Sequence, residues 1–307
     1  MKQFNRHELK RLYRPHTASA NEDNGQVTII GGSSLFHGAP ILALKVASRI
    51  VDMVFFATPE SSVGKVAEQL KSQLSSFIWI PWDEVDAYIE KSDAVLIGPG
   101  MMRYHKEVKS ALPADATHQV LQAGKFKNQS LDGAGKKTRE ITERLLKQFP
   151  HKQWVIDAGS LQTMDVAWIP ENAILTPNKK EFEMLFEANL ANQPTSELVE
   201  KMAKRYNCFI VLKGETTIVC PPAGGCVGIT GGNPGLTKGG TGDVQAGLTV
   251  ALAAKNEPFL AASSTAWIIK KAADELYERV GIVYNADDVA DEIPVIFSLQ
   301  SLSKVDK

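Results

Sequence analysis

The residues best suited to chemistry form one run, Gly231-Gly232-Asn233-Pro234-Gly235-Leu236-Thr237-Lys238-Gly239-Gly240-Thr241-Gly242-Asp243. Behind it, Val244 to Ala254 is mostly apolar or small, which predicts a buried helix starting at the glycine turn. Amide hydrogens without partners and the dipole at such a helix start attract an anion, and glycine lets the backbone approach a phosphate. Asp243, in the first turn, stands where it can take a proton from an attacking hydroxyl. Gly and Asp are also common as plain helix caps. The four glycines at 235, 239, 240 and 242 weigh towards a phosphate site.

Such a turn needs a scaffold, and the rest of the chain supplies one. Val27–Ile30 reads as a buried strand ending in Gly31-Gly32-Ser33-Ser34, and a helix follows from Pro40. Met53–Ala57 reads as the next strand. Ala94–Ile97 ends in Gly98-Pro99-Gly100, Trp154–Ile156 ends in Asp157, and Ile174–Pro177 leads to a helix from Lys180. Phe209–Leu212 ends in Lys213-Gly214, and Thr217–Cys220 reads as one arm of a hairpin. Thr138–Phe149 is helical by pattern. This alternation predicts an α/β fold, a mainly parallel central sheet with helices on both faces, and ligands at the carboxyl ends of the strands. No internal repeat or linker interrupts it, so one domain over 1–307 is expected, with 1–25 as an N-terminal extension. Residues 101–135 break the rhythm and are expected to form an insertion or lid.

Composition narrows the function. The 307 residues are 44% hydrophobic and 22% charged, with a net charge of −1. That leaves no electrostatic footprint for nucleic acid. The longest apolar stretch, Ile41 to Ala57, is broken by Lys45, Arg49 and Asp52, and 1–25 has no apolar core, so neither a membrane span nor a signal peptide is expected. The three cysteines are odd in number and make no C-x-x-C pair, which predicts reduced thiols, no thiolate zinc site and a cytoplasmic setting. The six histidines are scattered, and His37 in the first glycine-bearing loop is a lone one. Gly133-Ala134-Gly135-Lys136-Lys137-Thr138 fails the P-loop spacing and reads as a turn before a helix capped near Thr138. Gly31-Gly32-Ser33 lacks the dinucleotide fingerprint. Lys213 is either a phosphate contact or a surface lysine, and Lys238 is the better phosphate neighbour on charge.

The run from Gly232 to Gly247 resembles the pattern G-N-P-G-M-A-T-G-G-T-G-D-V-L-A-G of the ADP/ATP-dependent NAD(P)H-hydrate dehydratases, metabolite-repair enzymes of ribokinase-like fold. Gly31-Gly32-Ser33 with Gly38-Ala39-Pro40, Gly98-Pro99-Gly100, Asp157-Ala158, and Leu212-Lys213-Gly214 with Thr217 are similar to further family motifs in the same order, across residues 20–295. The resemblance implies a lyase that removes water from the hydrate of NADH or NADPH at the expense of ADP or ATP with Mg2+. The hydrate hydroxyl is phosphorylated, and loss of phosphate restores the dihydronicotinamide. It further implies Asp243 as the catalytic base, a nucleotide held by Lys213, Gly214, Glu215, Thr216, Thr217, Gly240, Thr241 and Gly242, and a hydrate lined by Ala39, Gly100, Asn178 and Asp243. A homo-oligomer, commonly a tetramer, and a separate epimerase protein are also implied.

Three features depart from the family pattern. Thr176-Pro177-Asn178-Lys179-Lys180-Glu181 has Asn178 where the family has His. T-P-N-x-x-E resembles the small-molecule kinases of the same superfamily, in which this Asn and Glu organise magnesium through water. It makes Glu181 a metal candidate and a kinase of a vitamin precursor or sugar the alternative reading, whereas Glu181 serving only the helix dipole is the simpler one. Gly159-Ser160 replaces Asp-Ala, and 101–135 is longer than usual. A nucleotide-binding protein without catalysis is a third reading, which Asp243 opposes.

Overall fold

The protein is described here by a computed structural model covering residues 1–70, 76–103, 133–191 and 195–302. In chain order the elements are β1 (Lys2–Gln3), β2 (Gln26–Ile30), α1 (Gly38–Ala47), β3 (Met53–Ala57), α2 (Ser61–Leu70), β4 (Ile78–Trp79), α3 (Val85–Lys91), β5 (Ala94–Ile97), α4 (Gly133–Gln148) and β6 (Gln153–Ile156). They continue with α5 (Ala158–Thr163), β7 (Ile174–Leu175), α6 (Lys179–Phe186), α7 (Thr195–Arg205), β8 (Phe209–Leu212), β9 (Thr217–Cys220), β10 (Val227–Ile229), α8 (Thr241–Ala253), α9 (Pro258–Val280) and α10 (Ala286–Leu302).

Among the described residues the strands make one sheet in the order β1-β10-β9-β8-β7-β6-β5-β2-β3-β4. Pairing is parallel except where β9 runs against β8 and β10. The β-branched and aromatic runs are buried on both sides, as a parallel sheet under two helix layers requires. Successive residues point to opposite layers. Val27 and Ile29 of β2 join a core with α1, α2 and α8 to α10, while Ile30, with Val95 and Ile97 of β5, joins a core with α3 to α7. The carboxyl ends of β2, β3, β5, β6, β7 and β8 therefore fall on one rim, with the glycines and charged groups that follow them, while β9 ends on the opposite one.

Two stretches that the sequence pattern reads as a turn and as an extension are built into the fold. α4 starts at Gly133, so the expected turn before Thr138 is helical, and the Thr138 hydroxyl donates to Ala134 O inside the helix instead of capping it. Two glycines had hidden a first turn that packs Gly135 and Thr138. Within 1–25, β1 pairs with β10 at the sheet edge and Leu9 and Leu12 are buried, a docking too short to carry a periodic signal. The expected insertion or lid at 101–135 lies, for 104–132, outside the described residues.

Candidate active site at the carboxyl rim

α8 opens on Gly240, whose φ of 93° is left-handed. A Cβ there would lie 2.5 Å from Leu42 Cδ1, so only glycine fits both the angle and the space. Val244 N–H donates to Gly240 O as the first helical bond, which leaves the amides of Gly242 and Asp243 in the first turn ahead of it. A Cβ on Gly242 would come 3.4 Å from Lys213 Nζ, and Gly239 faces open space. α8 is brought this close by α1: at Gly247 a Cβ would lie 2.4 Å from Ala43 O, so the two helices meet backbone to backbone.

Three neighbouring parallel strands each deliver one polar group to this turn. Asp157 follows β6, Thr176 follows β7 and Lys213 follows β8. Lys213 Nζ donates to Asp157 Oδ1 at 2.9 Å, and Thr176 Oγ1 donates to the same oxygen at 2.8 Å. The Asp157 side chain is 2% exposed, so the pair is buried on the carboxylate side and open on the ammonium side. Burial pushes Asp243 up to about 7; the negative charges of Asp157 and Glu181 push the same way and Lys213 pulls against them. Burial alone would lower Lys213, but Asp157, Glu181 and Asp243 outweigh it and hold the ammonium above its ordinary value. The result is a carboxyl able to exchange a proton near neutral pH beside a permanent cation and helix amides.

Asn178 and Glu181 form a capping box at the start of α6. Asn178 Oδ1 accepts from Glu181 N–H at 3.0 Å, and Glu181 Oε2 accepts from Asn178 N–H at 2.8 Å. Gln162 Nε2 donates to Glu181 Oε1 at 2.9 Å. Burial raises the Glu181 carboxyl and the Lys213 charge lowers it. Among the described residues no three His, Cys, Asp or Glu side chains gather into a metal cage. Both Glu181 oxygens already serve the protein, so a cation here would be held mainly by phosphates and water, the manner usual for magnesium.

Ala39 and Gly100 meet at the ends of β2 and β5. A Cβ on Gly100, where φ is 71°, would touch Ala39 Cβ at 3.3 Å and Phe36 O at 2.4 Å. Gly214 and Glu215 are exposed in the β8–β9 turn, Thr216 is half-buried and Thr217 buried. Lys179, the first residue of α6, reaches towards Gly214. The rim thus brings Lys213, Gly242 and Asp243 together, with the capping pair Asn178–Glu181 and the Ala39–Gly100 contact along the same edge.

Several expectations change. Lys238 is no phosphate neighbour: its ammonium donates to Ile282 O at 2.5 Å and to Tyr284 O, and so straps the glycine run to the α9–α10 connection. Thr241 Oγ1 turns inward to Leu236 O at 2.7 Å, and its backbone N–H donates to Lys238 O at 3.4 Å. His37 is exposed just before α1 and caps it with no side-chain bond. The cysteine reading is corrected: a disulfide joins Cys220 and Cys226, because the β9–β10 hairpin folds one onto the other. The odd cysteine, Cys208, is buried, and its thiol is pushed up to about 12. Asp157 was legible as a strand end and as part of a family motif, but not as a member of the site. Its signal was an acid directly after a buried strand, on the rim where a lysine also ends a strand.

The architecture is a ribokinase-like fold. A ribokinase-like superfamily protein of Enterococcus faecalis superposes with a TM-score of 0.76 at 20% identity, over 97% of this chain and 96% of that one. A Bacillus subtilis ADP/ATP-dependent NAD(P)H-hydrate dehydratase, crystallised with ATP/Mg2+, superposes with a TM-score of 0.71 at 20% identity, over 97% and 98%. At that identity the likeness speaks for the fold. The family model for NAD(P)H-hydrate dehydratase matches residues 27–295, and the chain belongs to that family. It is 33% identical over 302 residues to a bifunctional NAD(P)H-hydrate repair enzyme of Methanocaldococcus jannaschii, covering 95% of this chain and 52% of that protein. It is 27% identical over 307 residues to an ADP-dependent (S)-NAD(P)H-hydrate dehydratase of Nitrosopumilus maritimus, covering 91% and 90%. The chain spans about half the length of the bifunctional relatives it matches.

Proposed function

We propose that this chain is a single-domain lyase that restores NAD(P)H from its hydrate while converting ADP or ATP. The observation that carries the reading is the meeting of Asp243, Lys213 and the first-turn amides of α8 at one point of the rim. In this reading the hydrate hydroxyl attacks the terminal phosphorus, Asp243 accepts its proton, and the bridging P–O bond breaks to release AMP from ADP or ADP from ATP. The amides of Gly240 and Gly242 and the Lys213 ammonium stabilise the charge on the transferring group. Phosphate then leaves with the ring C–O bond, a ring proton is lost, and the dihydronicotinamide is restored. The backbone of 213–217 holds the nucleotide, and Ala39, Gly100 and Asn178 border the hydrate. Magnesium, when bound, offsets phosphate charge; Glu181 would meet it through water.

The family membership and the ADP-dependent relative support this reading. The kinase alternative rested on T-P-N-x-x-E, and the capping box gives Asn178 and Glu181 a local structural use that needs no kinase chemistry. Among the described residues no helix is long and apolar enough to cross a membrane. A cytoplasmic homo-oligomer served by a separate epimerase completes the proposal; the disulfide stands against the cytoplasmic part, and thiol titration of freshly isolated protein tests it.

The direct test is recovery of dihydronicotinamide absorbance on mixing the protein with NADH hydrate and ADP or ATP. Recovery is expected with at least one nucleotide, and none with either would overturn the proposal. Asp243→Asn is expected to keep nucleotide affinity while losing about 10²–10⁴-fold in kcat.

A further inference from the structure

Lys270, on α9, is 5% exposed, yet its ammonium meets three backbone carbonyls: Glu215 O at 2.7 Å, Gly231 O at 2.9 Å and Gly214 O at 3.2 Å. Three donors are all that an ammonium has, so the head group is fully used by backbone. Two of those carbonyls belong to the turn between β8 and β9, and the third opens the glycine run that ends at α8. Burial opposes the charge more strongly than the carboxylates of Asp274 and Glu215 support it, and a leucine or methionine would fill the same space without that cost. The β9–β10 pairing joins these two strips of chain only as far as Thr217 and Ile229, and the charge carries the tie past it, from Gly214 and Glu215 to Gly231.

The same helix fastens the run further along. Asn233 Nδ2 donates to Ala273 O at 2.8 Å, while Asn233 Oδ1 accepts from Gly235 N–H and from the Tyr284 hydroxyl. α9 therefore grips the run at two successive points, and Lys270 is the point shared with the β8–β9 turn. We propose that Lys270 is a positioning residue for the adenine nucleotide, setting the gap between the 213–217 turn and the glycine run. This rests on the nucleotide assignment made above. Lys270 itself touches no reacting atom.

The test compares wild type, Lys270→Met and Lys270→Arg by titration calorimetry with ADP and ATP, by steady-state turnover, and by amide hydrogen exchange without ligand. Lys270→Met is expected to raise nucleotide Kd and KM tenfold or more, with the KM for hydrate within twofold of wild type and the pH at which kcat/KM is half-maximal unmoved. Lys270→Arg, which can still donate to carbonyls, is expected to recover part of that affinity. Exchange at 214–217 and 231–233 is expected to quicken in Lys270→Met. Unchanged nucleotide affinity, or equal losses for nucleotide and hydrate, would overturn the inference. Wild type that binds neither nucleotide would sink the underlying assignment instead, and the ligand-free exchange would still judge the fastening. If Lys270→Met does not fold, Lys270→Gln, which keeps two donors but loses the charge, is expected to show a smaller rise in nucleotide Kd with the hydrate KM within twofold, and an unchanged nucleotide Kd there would overturn the inference.

Discussion

Asp243 is the residue on which the chemistry turns, and its environment makes a pH signature. A carboxyl held at about 7 is half protonated at neutral pH, and only the ionised form can act as a base. kcat/KM is therefore expected to rise with pH through a midpoint near 7. Asp157 pushes that midpoint up, so Asp157→Asn is expected to move it to lower pH, while Lys213→Met is expected to move it higher. Rate profiles in matched buffers decide both, and an unmoved midpoint in both variants would separate Asp243 from the limb. Stability carries the opposite sign. Because the folded carboxyl is raised above its unfolded value of 3.8, folding favours the protonated form; that advantage is complete below about pH 4 and lost as pH climbs through 7. Above pH 7 the wild type carries a buried charge worth at most about 4 kcal/mol, so Asp243→Asn is expected to melt higher than wild type at pH 8 and level with it near pH 4.

At the scale of elements, α8 contains two glycines with opposite duties, and substitution separates them. Gly242 has room for a methyl group, which would sit 3.4 Å from Lys213 Nζ. Gly242→Ala is therefore expected to leave stability unchanged or raise it by up to about 1 kcal/mol, from helix propensity, while turnover falls because the methyl crowds the phosphate approach. A Cβ on Gly247 would meet the Ala43 backbone at 2.4 Å. Gly247→Ala is expected to cost about 1–3 kcal/mol by forcing α1 from α8. Chemical denaturation beside initial rates distinguishes the two, and a matched loss in both variants would mean that Gly242 is only structural. α8 was legible in sequence because burial all round leaves a continuous apolar run, and β2, β3, β5, β6 and β8 were legible for the same reason. The start of α4 at Gly133 was not, since glycine marks a turn unless tertiary packing overrides it. Nor were the fastenings made through space: Asp157 to Lys213 spans 56 residues and Lys238 to Tyr284 spans 46. Each member alone is an unremarkable charge on a strand end or a loop. Lys238 shows the cost of reading charge without direction, since its stem leads away from the turn it adjoins.

For the whole molecule, the site is assembled from segments between Ala39 and Asp243, so a ligand seated there is expected to stabilise the sheet as a unit. At a nucleotide concentration of 100 Kd the gain is about 2.7 kcal/mol. Spread over the melting entropy of a chain this size, that is about 4 °C in Tm. The Cys220–Cys226 disulfide acts differently. It closes a loop with a sequence separation of only 6, between strands already paired at the sheet edge. Loop-closure entropy for so short a ring gives about 2 kcal/mol, or about 3 °C. The hairpin lies beyond the β8–β9 turn and donates nothing to Asp157, Lys213 or Asp243. Cys226→Ser is accordingly expected to lower Tm by that amount and to leave the nucleotide-induced rise intact, because a local staple and a ligand spanning the rim contribute independently. Melting curves of both proteins with and without ADP or ATP supply the four values required. A nucleotide shift that disappears along with the disulfide would tie the hairpin to the site and overturn the separation of edge from rim on which the expectation stands.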